Sequence, residues 1–289
     1  MKFKVFFLSL FFCFTCFSIK ALEWKELKGE HFIIYVLKED AFSQEALRRA
    51  EKYYQDIAHY LGYARYSNFW TWDNRVKIYI YPDKKSYLKY SGQPQWSEGM
   101  ANYTNKQILT YRGAKSFLDS ILPHEITHLL FRDFIGFESK VPLWLDEGVA
   151  QWAQEKDRRK IMEFMKQSFD KGIVLSFKDM MNIDVNKINS IDSIHIRYAL
   201  QKEPTLMFLS GDNLVKLFYL QSASLVGFLI ERHGNSRFTD FCRYLKRGEP
   251  LDSSLRKAYP KLITDLDQLQ SLWISYMENY KGMNRRWRK

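Results

Sequence analysis

The feature that most constrains this chain is an apolar run from Ile121 to Phe131, Ile-Leu-Pro-His-Glu-Ile-Thr-His-Leu-Leu-Phe. Such a run predicts a buried helix, and it carries two imidazoles and a carboxylate into the interior with it. On a helix His124 and His128 are one turn apart, roughly 5–6 Å between Cβ atoms, so both rings can converge on one Zn²⁺ at about 2.0–2.1 Å. Glu125 lies beside them on an adjacent face, suited to taking a proton from a water that the ion acidifies. The alternative is a helix with two ordinary histidines. Against it, burying two His and a Glu without a partner is costly, and a metal ion supplies the partner. Pro123 lacks an N–H, so the helix is expected to begin or bend there.

A catalytic zinc takes three protein donors and keeps one position open, so a third donor must come from elsewhere in the chain. Glu147 is the candidate. It stands in Leu143-Trp144-Leu145-Asp146-Glu147-Gly148-Val149-Ala150, where a second apolar helix begins. Acids at a helix start also suit its dipole, which is the other reading of this pair.

Elsewhere the pattern is that of an α+β chain. With 289 residues, 46% of them hydrophobic, there is ample material for a core, which excludes a fibrous or disordered chain. Residues 31–37 read as a strand, and Ala46, Leu47, Ala50, Tyr53, Tyr54, Ile57 and Leu61 follow at helical spacing. Val76 to Tyr81 is a second strand, stopped by Pro82. Residues 99–103 and 107–111, separated by Thr104 and Asn105, predict a hairpin. From Phe117 the pattern turns helical, with helices expected over 116–135, 143–167, 212–233, 236–247 and 262–280. The long stretch 169–211 is expected to hide short helices or to shape a binding site.

Lys2 and Lys4 precede an uncharged, Phe-rich run from Val5 to Ile19, which reads as a secretory signal ending near Ser18 or Ala21. The product would be secreted or periplasmic. An uncleaved membrane anchor is the alternative, although the run falls short of the roughly 20 residues of a span. Lipid attachment at Cys13 or Cys16 is a further one, disfavoured by the bulk of Phe12 and Thr15. Without residues 1–21 only Cys242 of the three cysteines remains, so no internal disulfide forms; its apolar surroundings fit a small buried hydrophobe. The formal charge of +11 is concentrated at the C-terminus, where Lys281, Arg285, Arg286, Arg288 and Lys289 form a basic tail over 281–289. The tail suits peripheral contact with an anionic envelope surface, or simple solvation. No nucleic-acid motif is present, so no nucleic-acid partner is expected.

His124-Glu125-x-x-His128, followed after eighteen residues by Glu147 within Trp-Leu-Asp-Glu-Gly-x-Ala, resembles the gluzincin zinc metallopeptidases, most closely the small bacterial peptidase MA-like family. The resemblance is sharp over residues 121–152 and looser elsewhere, where it takes in the two strands and Tyr219-Leu-Gln-Ser-Ala leading to Leu-Ile-Glu-Arg-His-Gly. It implies a thermolysin-like arrangement: a small twisted sheet in an N-terminal lobe, residues 22–115, and a helical zinc-binding lobe, residues 116–280. It implies one Zn²⁺ per chain held by His124, His128 and Glu147, with Glu125 as general base toward a peptide or protein substrate. Tyr219 occupies the place of a second oxyanion donor, though a tyrosine among Leu217, Phe218 and Leu220 also reads as a core residue bonded to a carbonyl. Gly99, Met100, Ala101 and Asn102 match the edge strand that binds extended substrate. Ala101 stands where the aminopeptidases have a glutamate for the free amino terminus, so an endopeptidase is the better expectation. A rival of another class is a non-catalytic envelope binding module that keeps the zincin fold. His31, His59, His195 and His233 are read as structural.

Overall fold

The computed structural model describes residues 23–65, 70–188, 193–197 and 206–282. The proposed export segment and residues 283–289 of the basic tail lie outside the described residues. Strand β1 (Lys25–Lys28) pairs antiparallel with β2 (Phe32–Val36), and helix α1 (Ala41–Tyr60) then crosses to β3 (Val76–Tyr81), parallel to β2. Alternation along β2 and β3 puts Phe32, Ile34, Val36, Val76, Ile78 and Ile80 on one face, all buried. Helix α1 covers that face with Ala46, Ala50, Tyr54 and Ile57. It starts at Asp40, whose carboxylate accepts from the Ser43 N–H while the Ser43 hydroxyl accepts from the Asp40 N–H.

After helix α2 (Lys84–Ser91), the hairpin of β4 (Gly99–Asn102) and β5 (Gln107–Tyr111) completes a five-stranded sheet of order β1-β2-β3-β5-β4. Strand β5 runs parallel to β3, whereas β1 and β4 are antiparallel edges. One side of β4 therefore keeps its main-chain groups free of the sheet.

The chain then enters a π-helical turn, Phe117–Ile121, that runs straight into α3 (Leu122–Ile135). In that turn the N–H groups of Ile121 and Leu122 reach back five residues, to the carbonyls of Ser116 and Phe117. Pro123, with no N–H to offer, follows directly, so the widened turn and the proline form one feature. Helix α3 is buried along most of its length, from Leu122 to Ile135.

Helices α4 (Leu143–Ala153), α5 (Arg158–Asp170) and α6 (Phe177–Asn182) precede a two-stranded antiparallel sheet of β6 (Ser193–Arg197) and β7 (Leu206–Ser210). Helix α7 (Gly211–Gly227), prolonged by a second π-helical turn over Phe228–Arg232, is followed by α8 (Asn235–Lys246), α9 (Leu251–Ala258) and α10 (Leu266–Glu278). By length and composition Gly211–Arg232 could cross a membrane, but its apolar window is 72% buried inside the molecule, as a core helix is. Buried residues of the sheet and the helices form one continuous cluster.

Two expectations from the sequence need correction. The single helix expected over 143–167 is two helices, because the backbone leaves helical geometry at Gln154. Side chain and backbone close the break: the Arg158 guanidinium donates to the Trp152 carbonyl at 2.7 Å, and the Asp157 N–H to the Gln154 carbonyl at 3.0 Å. The stretch 169–211 holds not only a short helix, α6, but also the β6–β7 pair.

Helices α4 and α7 approach so closely that glycine is needed at their contact. A Cβ on Gly148 would lie 2.6 Å from the Ser222 carbonyl oxygen and 2.8 Å from Val226 Cγ2, and a backbone oxygen cannot swing away. Gly148→Ala should cost about 1–3 kcal/mol by overpacking, read as a fall in Tm. Since α4 also carries Glu147, metal affinity of the folded variant should weaken with it; unchanged Tm and affinity would mean that the two helices adjust freely.

Candidate metal centre

Three donor atoms from two helices meet at one place. His124 Nε2 and His128 Nε2, one turn apart on α3, are 3.1 Å from each other, and Glu147 Oε2 on α4 is 3.8 and 3.6 Å from them. A circle through atoms 3.1, 3.6 and 3.8 Å apart has a radius of about 2.0 Å, which matches metal–nitrogen and metal–oxygen bond lengths of about 2.0–2.2 Å. Two imidazoles and a carboxylate are a donor set for a divalent transition metal. His124, His128 and Glu147 thus form a group that could hold a metal ion.

The orientation of His128 is fixed from behind. Its Nδ1 is 3.0 Å from Asp146 Oδ1, so the N–H sits on Nδ1 and the Nε2 lone pair faces Glu147 and His124. Asp146 is itself held by Arg132, whose Nε and Nη2 donate to Oδ2 at 3.0 and 2.6 Å. Burial alone would raise the Asp146 carboxyl, but the hydrogen bonds and charges of His128 and Arg132 outweigh it and hold it below the usual carboxylate range. The two imidazoles are pushed in opposite directions. Burial, joined by the charge of His128, lowers His124 to about 3. For His128 burial acts downward too, yet hydrogen bonds to Asp146 and Glu147 prevail and raise it to about 10.

Glu125 is held in a similarly confined place. Burial raises its carboxyl to about 7, with the charge of Glu147 adding to the rise and the charge of His128 and a hydrogen bond from the Ala101 backbone opposing it. Tyr219, half-buried on α7, is raised to about 12 by burial and by the charge of Glu147, which sets it on the Glu147 side of the cluster. Its hydroxyl has no hydrogen-bond partner among the described residues.

The cluster opens into a cavity of about 540 Å³ that His124 and Glu125 line together with Gly99. Of the four residues expected on the edge strand, Gly99 lines this cavity and Ala101 reaches Glu125 through its backbone. Asn102 instead closes the hairpin, its side-chain oxygen accepting from the Asn105 N–H at 3.2 Å, and Met100 packs against the core. Gly99 has a steric reason to be glycine: a Cβ there would lie 2.9 Å from Ile121 Cγ2.

Four residues at the centre are absent from the sequence-based set. Asp146 and Arg132 had a detectable signal, since Arg132 follows His128 by one helical turn and Asp146 adjoins Glu147. Gln154, with its amide 3.5 Å from His124 Nδ1, depends on the break after α4, which no periodicity announces. Tyr103, in the β4–β5 turn, stands edge-on to the His128 ring at 5.9 Å, and burial together with the charges of Glu125, Asp146 and Glu147 raises its phenol above the usual range. Of the remaining histidines, His31 is buried and bonds Glu51 through Nδ1 at 2.7 Å, and His59 is exposed on α1. Cys242 is buried, with the Tyr63 hydroxyl donating to its sulfur at 3.4 Å.

No family model matches the chain, and no curated protein is detectably similar to it in sequence, so its function has to be read from the site. Asp146→Asn should lower the affinity for a divalent metal about 10–100-fold, measured by chelator competition, because the amide no longer fixes the His128 tautomer. Affinity equal to that of the unaltered chain would reduce Asp146 to a link between helices.

Proposed function

We propose that the protein is a zinc-dependent peptidase of the gluzincin type, with a thermolysin-like arrangement of sheet and helices, acting as an exported endopeptidase. The observation that carries this reading is a half-buried carboxyl, Glu125, lining the cavity beside three donor atoms that converge on one point. His124, His128 and Glu147 would hold Zn²⁺, which when bound would supply a Lewis acid able to acidify a water to a pKa of about 7 and to polarise a peptide carbonyl.

The other steps belong to side chains of the chain itself. Glu125 takes the proton of the attacking water on its carboxylate and hands it to the departing amine, serving first as base and then as acid. Asp146 keeps the N–H of His128 on Nδ1, so that Nε2 stays available to the metal. Tyr219, with an unclaimed hydroxyl on the Glu147 side, donates a hydrogen bond to the carbonyl oxygen as it gains charge. The free side of β4 accepts an extended peptide through main-chain hydrogen bonds, which suits a substrate recognised along its backbone rather than at a terminus.

A non-catalytic binding module would need the three donors but not Glu125. A carboxyl in so confined a place costs stability unless it has work to do, which favours hydrolysis. Export by the N-terminal segment and peripheral contact of the basic tail with an anionic surface complete the reading.

Glu125→Gln should retain about one zinc per chain and lose peptide hydrolysis by about 10²–10⁴-fold. Retention of full activity would remove Glu125 from the mechanism, and a wild-type chain that holds zinc yet cleaves no peptide would favour the binding module. For Tyr219→Phe, kcat should fall about 10²-fold or more with KM nearly unchanged; an unaffected kcat would return Tyr219 to the core.

A further inference from the structure

The cavity of about 540 Å³ beside His124 and Glu125 has walls of unusual composition for a peptide site. Pockets for substrate side chains are mostly apolar with a few placed polar groups. Here the lining includes Trp96, Glu98, Ser116, Ser120, Gln151 and Gln154, and no Lys or Arg is part of it, although Lys156 donates to the Ser120 hydroxyl at 3.4 Å.

The segment that carries Trp96 and Glu98 is anchored rather than loose. Ser97 between them is buried, its hydroxyl 2.6 Å from the Tyr87 hydroxyl and 3.2 Å from the Gly99 carbonyl. The Thr110 hydroxyl donates to the Glu98 carbonyl at 2.7 Å. Its two neighbours, Trp96 and Glu98, line the cavity with it. Glu98 Oε2 accepts from the Ser116 N–H at 2.7 Å, which fixes the carboxylate across the cavity wall. Glu98 makes no ion pair among the described residues, and Trp96 is 82% exposed.

A fixed carboxylate without a cation, an open indole face and a set of hydroxyls and amides together are complementary to a side chain that is cationic at its tip and apolar along its stem. We propose that this cavity is a specificity pocket for an arginine or lysine side chain of the substrate, with Glu98 receiving the charge and Trp96 stacking on it. The assignment rests on the peptidase reading for its role in turnover, but the recognition itself does not depend on hydrolysis. Gln151 and Gln154 supply neutral acceptors to the remaining donors of a guanidinium.

A mixture of blocked decapeptides, randomised at every position, digested by the zinc-loaded chain and read by mass spectrometry tests this directly. Arginine and lysine should be enriched about tenfold at one position beside the cut. Glu98→Gln keeps an acceptor for the Ser116 N–H, so Tm should hold; it should remove most of that enrichment, with kcat/KM for arginine and lysine peptides falling toward that for peptides with neutral side chains there. Trp96→Ala should weaken the enrichment in the same direction. Cleavage with a flat profile, or with apolar or acidic side chains preferred, overturns the pocket assignment and leaves the peptidase reading standing. Should no peptide be cut, the peptidase reading falls, and equilibrium titration of the same zinc-loaded chain decides the pocket. Blocked arginine peptides binding about fivefold or more tighter than glutamate analogues, with the difference lost in Glu98→Gln, uphold it, and equal binding overturns it.

Discussion

The carboxylate of Asp146 is the interaction on which the site depends. It lies on α4 next to Glu147 and reaches back to two residues of α3, bonding His128 with one oxygen and the Arg132 guanidinium with the other. That bridge ties the register of the two helices through short hydrogen bonds, which the apolar side chains packed between them cannot do, because apolar contact is not directional. Without a directional tie, the distances of 3.6 and 3.8 Å from Glu147 to the two imidazoles would be free to vary with every adjustment of the core. Asp146 is buried, so its charge is tolerated only because both partners compensate it.

The same bridge divides the work of the two histidines. His128, almost fully enclosed and bonded to Asp146 through Nδ1, is the rigid member, and His124, nearer the cavity and bounded by the Gln154 amide, is the one that borders the open side. The opposite pushes on their basicity follow from this asymmetry. One ring gains negative neighbours that outweigh its burial, whereas the other has burial without comparable compensation and a second imidazole beside it. A pair of rings poised so differently is better suited to sharing one cation than to carrying two protons.

Much of this was legible before any coordinates, for physical reasons that vary by element. Helix α3 was readable because an apolar run around charged and ring nitrogens has few uses, and β3 and the β4–β5 hairpin because Pro82 and the turn at Thr104 and Asn105 punctuate them. Strand β1, Lys25–Lys28, was not, since a short, largely exposed edge strand has no apolar alternation to read. The break after α4 hides in a polar stretch, Gln-Glu-Lys-Asp, that fits a continuing helix equally well; what ends the helix is the distant Arg158 side chain on the Trp152 carbonyl. Helix α9, whose buried positions are Ser254, Leu255 and Ala258, presents too short and too mixed a face for periodicity to isolate. The imidazole pair followed from helical spacing and Glu147 from the resemblance, but the tautomer lock at Asp146 required knowing which neighbour of Glu147 turns back toward α3.

Two irregularities of the backbone then open a cavity beside the cluster that could hold a metal ion. A regular α-helix through Pro123 would lack a donor and crowd the preceding turn, so the π-helical turn over Phe117–Ile121 widens the chain where α3 begins. The widened turn brings Ile121 against Gly99, where the missing side chain lets β4 lie close to α3 and brings the Ala101 N–H to Glu125. It also leaves Ser116 and Ser120 on the cavity wall opposite the end of α4, where the chain breaks at Gln154 rather than carrying a regular helix past the opening. An unbroken helix on either side would pack better and would leave the cluster sealed. Regular structure therefore sets the positions of the donors, and the departures from it border the cavity that His124 and Glu125 line.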